Sequence, residues 1–229
     1  LRNSSAASDV YKRQVQDNEQ QLYKFTTEFN PNDRLQTEYN LLIKSASDIE
    51  NTDLTSSSNR GGDPNLETEK IDILKSQKPS SINQELKAYY TLNEDHIFSF
   101  EAQHLSQDED PFYQAIKTIQ PFRNILPLDR NQSNFDINQF RDVHTDKIEG
   151  KLDYYYILTP KSNLNLTFGI TDVKQKFNSH IFQILDNKSQ NKFNDDLLVN
   201  NVDFNFKDTY LSFRYRFITG IFTFDPGFT

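Results

Sequence analysis

The stretch Tyr210-Leu211-Ser212-Phe213-Arg214-Tyr215-Arg216-Phe217 decides the fold. Leu211, Phe213, Tyr215 and Phe217 fall at every second position, with Tyr210, Ser212, Arg214 and Arg216 between them. A period of two is the mark of an extended strand with unlike faces, because successive side chains point to opposite sides of a sheet. Four large apolar groups on one side and two arginines on the other require two very different environments.

The pattern recurs upstream. Leu35, Thr37, Tyr39, Leu41 and Ile43 oppose Arg34, Gln36, Glu38, Asn40 and Lys44, with Leu42 the exception. Leu86, Ala88, Tyr90 and Leu92 oppose Glu85, Lys87, Tyr89 and Thr91. His96, Phe98, Phe100 and Ala102 oppose Ile97, Ser99, Glu101 and Gln103. Ile148, Leu152, Tyr154, Tyr156 and Leu158 oppose Lys147, Glu149, Lys151 and Asp153, and Leu164, Leu166, Phe168 and Ile170 oppose Asn165, Thr167, Gly169 and Thr171. These strands read as about 10–14 residues, beyond the usual five or six of globular strands and enough for a tilted membrane strand.

The connections alternate in length. Asn30-Pro31-Asn32-Asp33, Asn93-Glu94-Asp95, Thr159-Pro160-Lys161-Ser162-Asn163 and Ile218-Thr219-Gly220 are tight turns, built from residues that preset φ or bond their own backbone. Between them lie long polar stretches, 45–79, 106–145 and 178–205, read as loops. Short turns at one end and long loops at the other are usual in outer-membrane barrels and rare in compact soluble domains. Phe29, Tyr90, Tyr156, Phe217 and Phe222 sit near the tight turns, where an interfacial aromatic girdle would stand. The expected fold is therefore all-β: an antiparallel up-and-down transmembrane β-barrel fragment, a curved meander of about eight strands.

Composition agrees. The chain has 19 Phe and 11 Tyr, too many aromatics for disorder. Its mean hydropathy is -0.77, which a barrel wall also shows because only alternate residues face lipid. No run approaches the roughly 18 apolar residues of a membrane-spanning helix. A net charge of -8 argues against nucleic acid as a partner. The absence of Cys excludes disulfides and thiolate metal sites.

Catalytic signatures are missing. There is no GxSxG, HExxH, P-loop or dinucleotide fingerprint, so no enzymatic activity, catalytic residue or cofactor is expected. His96, His104, His144 and His180 lack ligand spacing; His96 and His104 lie about 27 Å apart on one strand, too far to share a metal. Asp108-Glu109-Asp110 reads as a solvated charge run capping a short helix near 111–119, since Asp followed by Pro is a helix start. The residues 71–75 read as a strand extension, and the surroundings of Gly61-Gly62-Asp63-Pro64 as flexible surface. Arg34, Glu38, Lys87, Glu101, Lys151, Arg214 and Arg216 form a lumen-facing polar set that would meet solute, a plug domain or only water. No one of them is singled out as a ligand site.

The chain begins with Leu1 and has no Met, which reads as an incomplete reading frame. Asp9-Val10-Tyr11-Lys12-Arg13-Gln14 match one frame of a transposon mosaic-end adapter used in sequencing libraries. Residues 1–14 are thus expected to be adapter-derived, and 15–229 to be part of an outer-membrane β-barrel domain truncated at both ends.

The stretches 22–30, 81–103 and 208–227 resemble the barrel of Bacteroidota-type TonB-dependent receptors that carry a carboxypeptidase-like N-terminal domain. The phrases Asn83-Gln84-Glu85-Leu86-Lys87-Ala88-Tyr89-Tyr90, 107–113, 210–216 and Phe224-Asp225-Pro226-Gly227-Phe228 carry the resemblance. It implies location in the cell outer membrane and energised import of a scarce nutrient: a metal chelate, a glycan or a peptide. Its implied partners are outer-membrane lipid, an unknown small ligand, and a plug domain and TonB that lie outside these residues. Three other readings stay open: a small complete eight-stranded barrel with a structural or adhesive role, an outer-membrane protease or lipase, and a soluble β-sandwich binding module.

Overall fold

The computed structural model describes residues 8–58, 67–122, 125–193 and 198–229. Twelve strands form one antiparallel sheet, and no helix occurs among the described residues. They are β1 (Ser8–Asn32), β2 (Leu35–Ser58), β3 (Glu67–Gln77), β4 (Ser80–Thr91), β5 (His96–Glu109), β6 (Phe112–Lys117), β7 (Phe135–Thr159), β8 (Ser162–Ile184), β9 (Gln190–Lys192), β10 (Val199–Thr219), β11 (Phe222–Phe224) and β12 (Gly227–Phe228).

Several of these are pieces of one path. β3 and β4 pair with the two halves of β2, as β6 and β5 do with the two halves of β7. β11 and β12 lie in turn along β10. The breaks fall at Lys78-Pro79, Asp110-Pro111 and Asp225-Pro226. Each proline carbonyl still accepts from the neighbouring strand: Ala46 N to Pro79 O at 3.0 Å, Arg141 N to Pro111 O at 3.1 Å and Tyr215 N to Pro226 O at 2.9 Å. Proline has no N–H, so each site loses one ladder bond while the register continues. Joined in this way, and with β9 and β10 taken as one path beside β8, the strands trace eight paths in a sequential meander, as expected. Among the described residues β1 pairs only with β2, and β11 and β12 only with β10, so the sheet they form is an open arc.

The tight turns fall close to where the sequence puts them. Asn32 Oδ1 accepts from Arg34 N at 2.9 Å and Leu35 N at 3.1 Å, which sets the first turn on Asp33-Arg34. Asn93 Oδ1 does the same for Asp95 N and His96 N, both at 3.0 Å. Gly220 takes φ +58° at the last turn, a conformation that costs glycine little.

Two expectations are corrected. Residues 112–117 form β6, not a helix, because their backbone is paired on both sides, by β3 and by β7. Two ladders outweigh one helix-start signal. The three stretches read as loops are largely strand: β2 runs to Ser58, β7 begins at Phe135, and β8 reaches Ile184. Residues 71–75 lie in β3, as expected. The glycine-rich stretch 61–64 lies outside the described residues. Residues 8–14 continue β1 and pair with Thr52–Ser58. The open edge of β2 accepts any extended backbone, so this pairing is silent on their origin.

A small apolar core sits at the end away from the tight turns. Leu126, Leu128, Phe135, Ile137 and Phe193 are buried together, with Ile181 and Leu198 against them. The segment 125–134 thereby folds over one face of β7 and β8.

Candidate functional site

Direct cross-strand pairing places residues on a common face, which defines two unlike surfaces. On one, Phe29, Thr37, Ala88, Phe100, Leu152, Phe168 and Leu211 form a single row across the sheet. Among the described residues no second layer covers it: Leu152 is 42% exposed, Phe168 46% and Leu211 64%. Toward the tight turns the next rows are aromatic. Tyr90, Phe98, Tyr154, Leu166, Phe213 and Phe228 form one, and His96, Tyr156, Leu164 and Tyr215 the other. His96 stacks on Tyr156 with centroids 4.6 Å apart and meets the Tyr154 hydroxyl at 2.7 Å. Tyr90, Tyr156, Phe217 and Phe222 join this turn-side belt, whereas Phe29 stands in the middle row.

In the other direction the apolar band ends at Ile148, which is followed in its row by Asp172 and Lys207. Their ion pair spans 3.1 Å. His104–Asp146 at 2.8 Å and His144–Asp108 at 2.6 Å lie just beyond. His180 is tilted against Phe140 and stacked on Phe182. All four histidines therefore stand on the apolar face, each in its own contact. Among the described residues no three His, Asp or Glu gather as metal ligands.

The opposite face carries the charges. Glu28, Glu38, Lys87, Glu101, Lys151, Gly169 and Tyr210 make one row, so four members of the lumen-facing set expected from sequence stand side by side. Lys87 pairs with Glu85 at 3.0 Å and Lys151 with Asp153 at 2.8 Å. Arg214 and Arg216 lie nearer the turns, Arg214 being 3.8 Å from Asp225, and Arg34 sits in the first turn. The Tyr210 ring covers the space that a side chain at Gly169 would need.

Farther up this face, beside the proline breaks, lies a groove of about 520 Å³. Asp48, Glu50, Lys75, Tyr113, Gln139 and Arg141 line it from β2, β3, β6 and β7. Lys75 bonds Glu50 at 2.9 Å, which holds that carboxyl below its ordinary 4.5. Gln77 donates to Asp48 at 3.0 Å. Above the groove Gln183, with no exposed surface, clasps the backbone of Asp129. Its Oε1 accepts from Asp129 N at 2.8 Å and its Nε2 donates to Asp129 O at 3.0 Å. Asp186 accepts from Ser133 N at 2.9 Å and Ser133 Oγ at 2.8 Å, and these bonds hold its carboxyl below the ordinary range. Sequence reading missed the groove and the clasp because it placed 106–145 in a loop. No period of two marks 112–117, where Phe112 and Ile116 share a face with Gln114, and Tyr113 and Ala115 share the other with Lys117.

No family model and no curated protein matches the chain. Among solved structures it is weakly similar to the ferric yersiniabactin uptake receptor FyuA of Yersinia pestis, with 10% identity and a TM-score of 0.27 over 96% of this chain and 46% of that one. It is also weakly similar to the alcaligin outer membrane receptor FauA of Bordetella pertussis, with 8% identity and a TM-score of 0.24 over 94% of this chain and 41% of that one. The chain thus spans less than half the length of either receptor.

Proposed function

We propose that the chain forms part of the wall of a barrel in the cell outer membrane, one belonging to a TonB-dependent receptor that imports a scarce nutrient. The apolar face meets lipid and the charged face lines the lumen, where it meets water, a plug domain and the ligand in transit. The wall has a transport role and no enzymatic one. The observation that carries this reading is a single-layer sheet whose apolar face is uncovered. A soluble sandwich would bury that face under a second sheet. Lipid replaces the second sheet without a partner protein, and a belt of Tyr and Phe at one rim fits the boundary between hydrocarbon and water. Eight strand paths also suit the reading as a small eight-stranded barrel; against it, β1 and β11 do not meet.

The chain has no Cys, so single cysteines can be introduced along β7 from Ile148 to Tyr156 and spin-labelled in lipid vesicles. Labels at even positions should be relaxed by oxygen, which concentrates in lipid, and those at odd positions by a water-soluble nickel chelate. Equal accessibility to the nickel chelate at both parities would sink the wall reading.

A further inference from the structure

The groove beside the proline breaks has an unusual distribution of charge. Its inner charges are matched, Lys75 with Glu50. Its two outer charges are not. Asp48 is half-buried and accepts from the neutral amides of Gln77 and Asn18, and Arg141 is exposed; neither has an oppositely charged partner among the described residues. The two stand at opposite ends of one row, three strand steps apart. Asp48 pairs with Gln77 of β3, and Arg141 bonds Pro111 between β5 and β6. At about 4.8 Å per step their separation is about 14 Å. An extended peptide advances about 3.3–3.6 Å per residue, so about four residues span that gap. Pro111 and Tyr113 line the groove between the two ends.

We propose that this groove binds short peptides of about four residues with both termini free. The ammonium meets Asp48, and the guanidinium of Arg141 takes the carboxylate in a two-pronged hydrogen bond. A glycan lacks both charges. A chelate concentrates negative charge at one point, which Asp48 would repel. The proposal rests on the barrel-wall reading, which leaves this face open to water, and it selects one nutrient class for it.

The test uses radiolabelled tetra-alanine in three forms (free-ended, N-acetylated and C-amidated), equilibrated with the full chain in phosphatidylcholine vesicles. Bound peptide is counted per inserted chain, and insertion is measured separately by protease protection. Removing one charge-assisted contact should weaken binding about 10- to 100-fold, so either cap should do so. Arg141→Gln should bind acid and amide alike, Asp48→Asn should bind free and acetylated peptide alike, and Arg141→Lys should keep part of the preference for the acid. Absence of tetra-alanine binding to the inserted chain, or an acid preference that survives in Arg141→Gln, overturns the groove assignment and leaves the wall reading standing. Equal nickel-chelate accessibility of β7 spin labels at both parities in the same vesicles overturns both.

Discussion

Leu152 occupies the middle of the apolar band, four residues from Ile148 at one boundary and four from Tyr156 at the other. Those eight residues measure about 27 Å along the strand, or about 20 Å of depth at a tilt of about 40°. An arginine on the lipid face of a barrel costs about 2–4 kcal/mol at the midplane and about 0–1 kcal/mol near the interfaces. Leu152→Arg should therefore shift folding into vesicles by about 30- to 700-fold, at about 1.4 kcal/mol per tenfold. Ile148→Arg and Tyr156→Arg should each cost far less. Ser99→Arg sets the reference for the other face, because Ser99 pairs directly with Asp153 there and should tolerate the charge within about 0.5 kcal/mol. Urea titration of vesicle-bound chain reads all four variants. A soluble protein with a buried face would give costs that follow burial, whereas a bilayer gives costs that follow depth. A flat profile from Ile148 to Tyr156, or Ser99→Arg as costly as Leu152→Arg, would refute the lipid-facing assignment.

Gly169→Ala should destabilise the sheet by about 1–3 kcal/mol, because the new Cβ overlaps the Tyr210 ring; Tyr210→Ala in the same chain should remove most of the penalty, which urea titration of the double variant checks. Gln183→Leu keeps the volume but leaves both backbone groups of Asp129 unmatched, at about 1–3 kcal/mol for each buried group, and hydrogen exchange should rise in 129–134 while the amides of β4 and β5 stay protected. Asp186 should make that segment acid-sensitive. Its carboxyl is held below the ordinary 3.8, first by the Ser133 N–H and then by the hydroxyl, so its contribution is complete above 3.8 and disappears as the pH falls through the lowered value. Exchange of the Ser133 amide should show that acid step, and Asp186→Asn should abolish it.

The half of the sheet between the tight turns and Ile148 was legible because one face is apolar and the other is not. Leu211, Phe213 and Tyr215 against Arg214 and Arg216 leave a single register open, since a slip of one residue would exchange the faces. The other half carries a weaker signal, with the faces exchanged. Beyond Asp172 and Lys207, β8 carries Lys174 and Lys176 on the face that held Phe168 and Ile170. The apolar groups pass there to the opposite face, Val173 and Phe177 on β8 and Val202, Phe204 and Phe206 on β10, so the period of two changes sign while the backbone ladder runs on. The groove was hidden for a different reason: Asp48 and Arg141 are ordinary charges in sequence, and only continuous pairing from β2 to β7 brings them into one row. The clasp of Gln183 on Asp129 joins residues 54 apart, which no local pattern encodes.

The prolines link the two halves. A proline in a central strand leaves a neighbouring carbonyl without its donor, and a sequence reading rightly takes it as the end of a strand. Pro79 and Pro111 did mark an end, though not of the strand. Ser80 pairs with Asp108 on one side of the break and Ser76 with Phe112 on the other, in unbroken register. What stops there is the tolerance for an unmatched backbone group, which needs water or a side chain at hand. Here Lys78 N–H turns to Asp110 Oδ1 at 2.6 Å. In hydrocarbon no such rescue by water exists, and every ladder bond must be kept. Along β4, β5, β7, β8 and β10, from the row of Ile148 to the row of Tyr156, there is no proline. Pro79 lies five residues past Gln84 of the Ile148 row, about 17 Å farther along the strand. At the other rim Pro226 stands beside Tyr215, in the row of Tyr156 itself. The prolines thus stand at or beyond the rims of the apolar band and not inside it, as the proposed wall requires, because hydrocarbon would leave the unmatched backbone group without a partner.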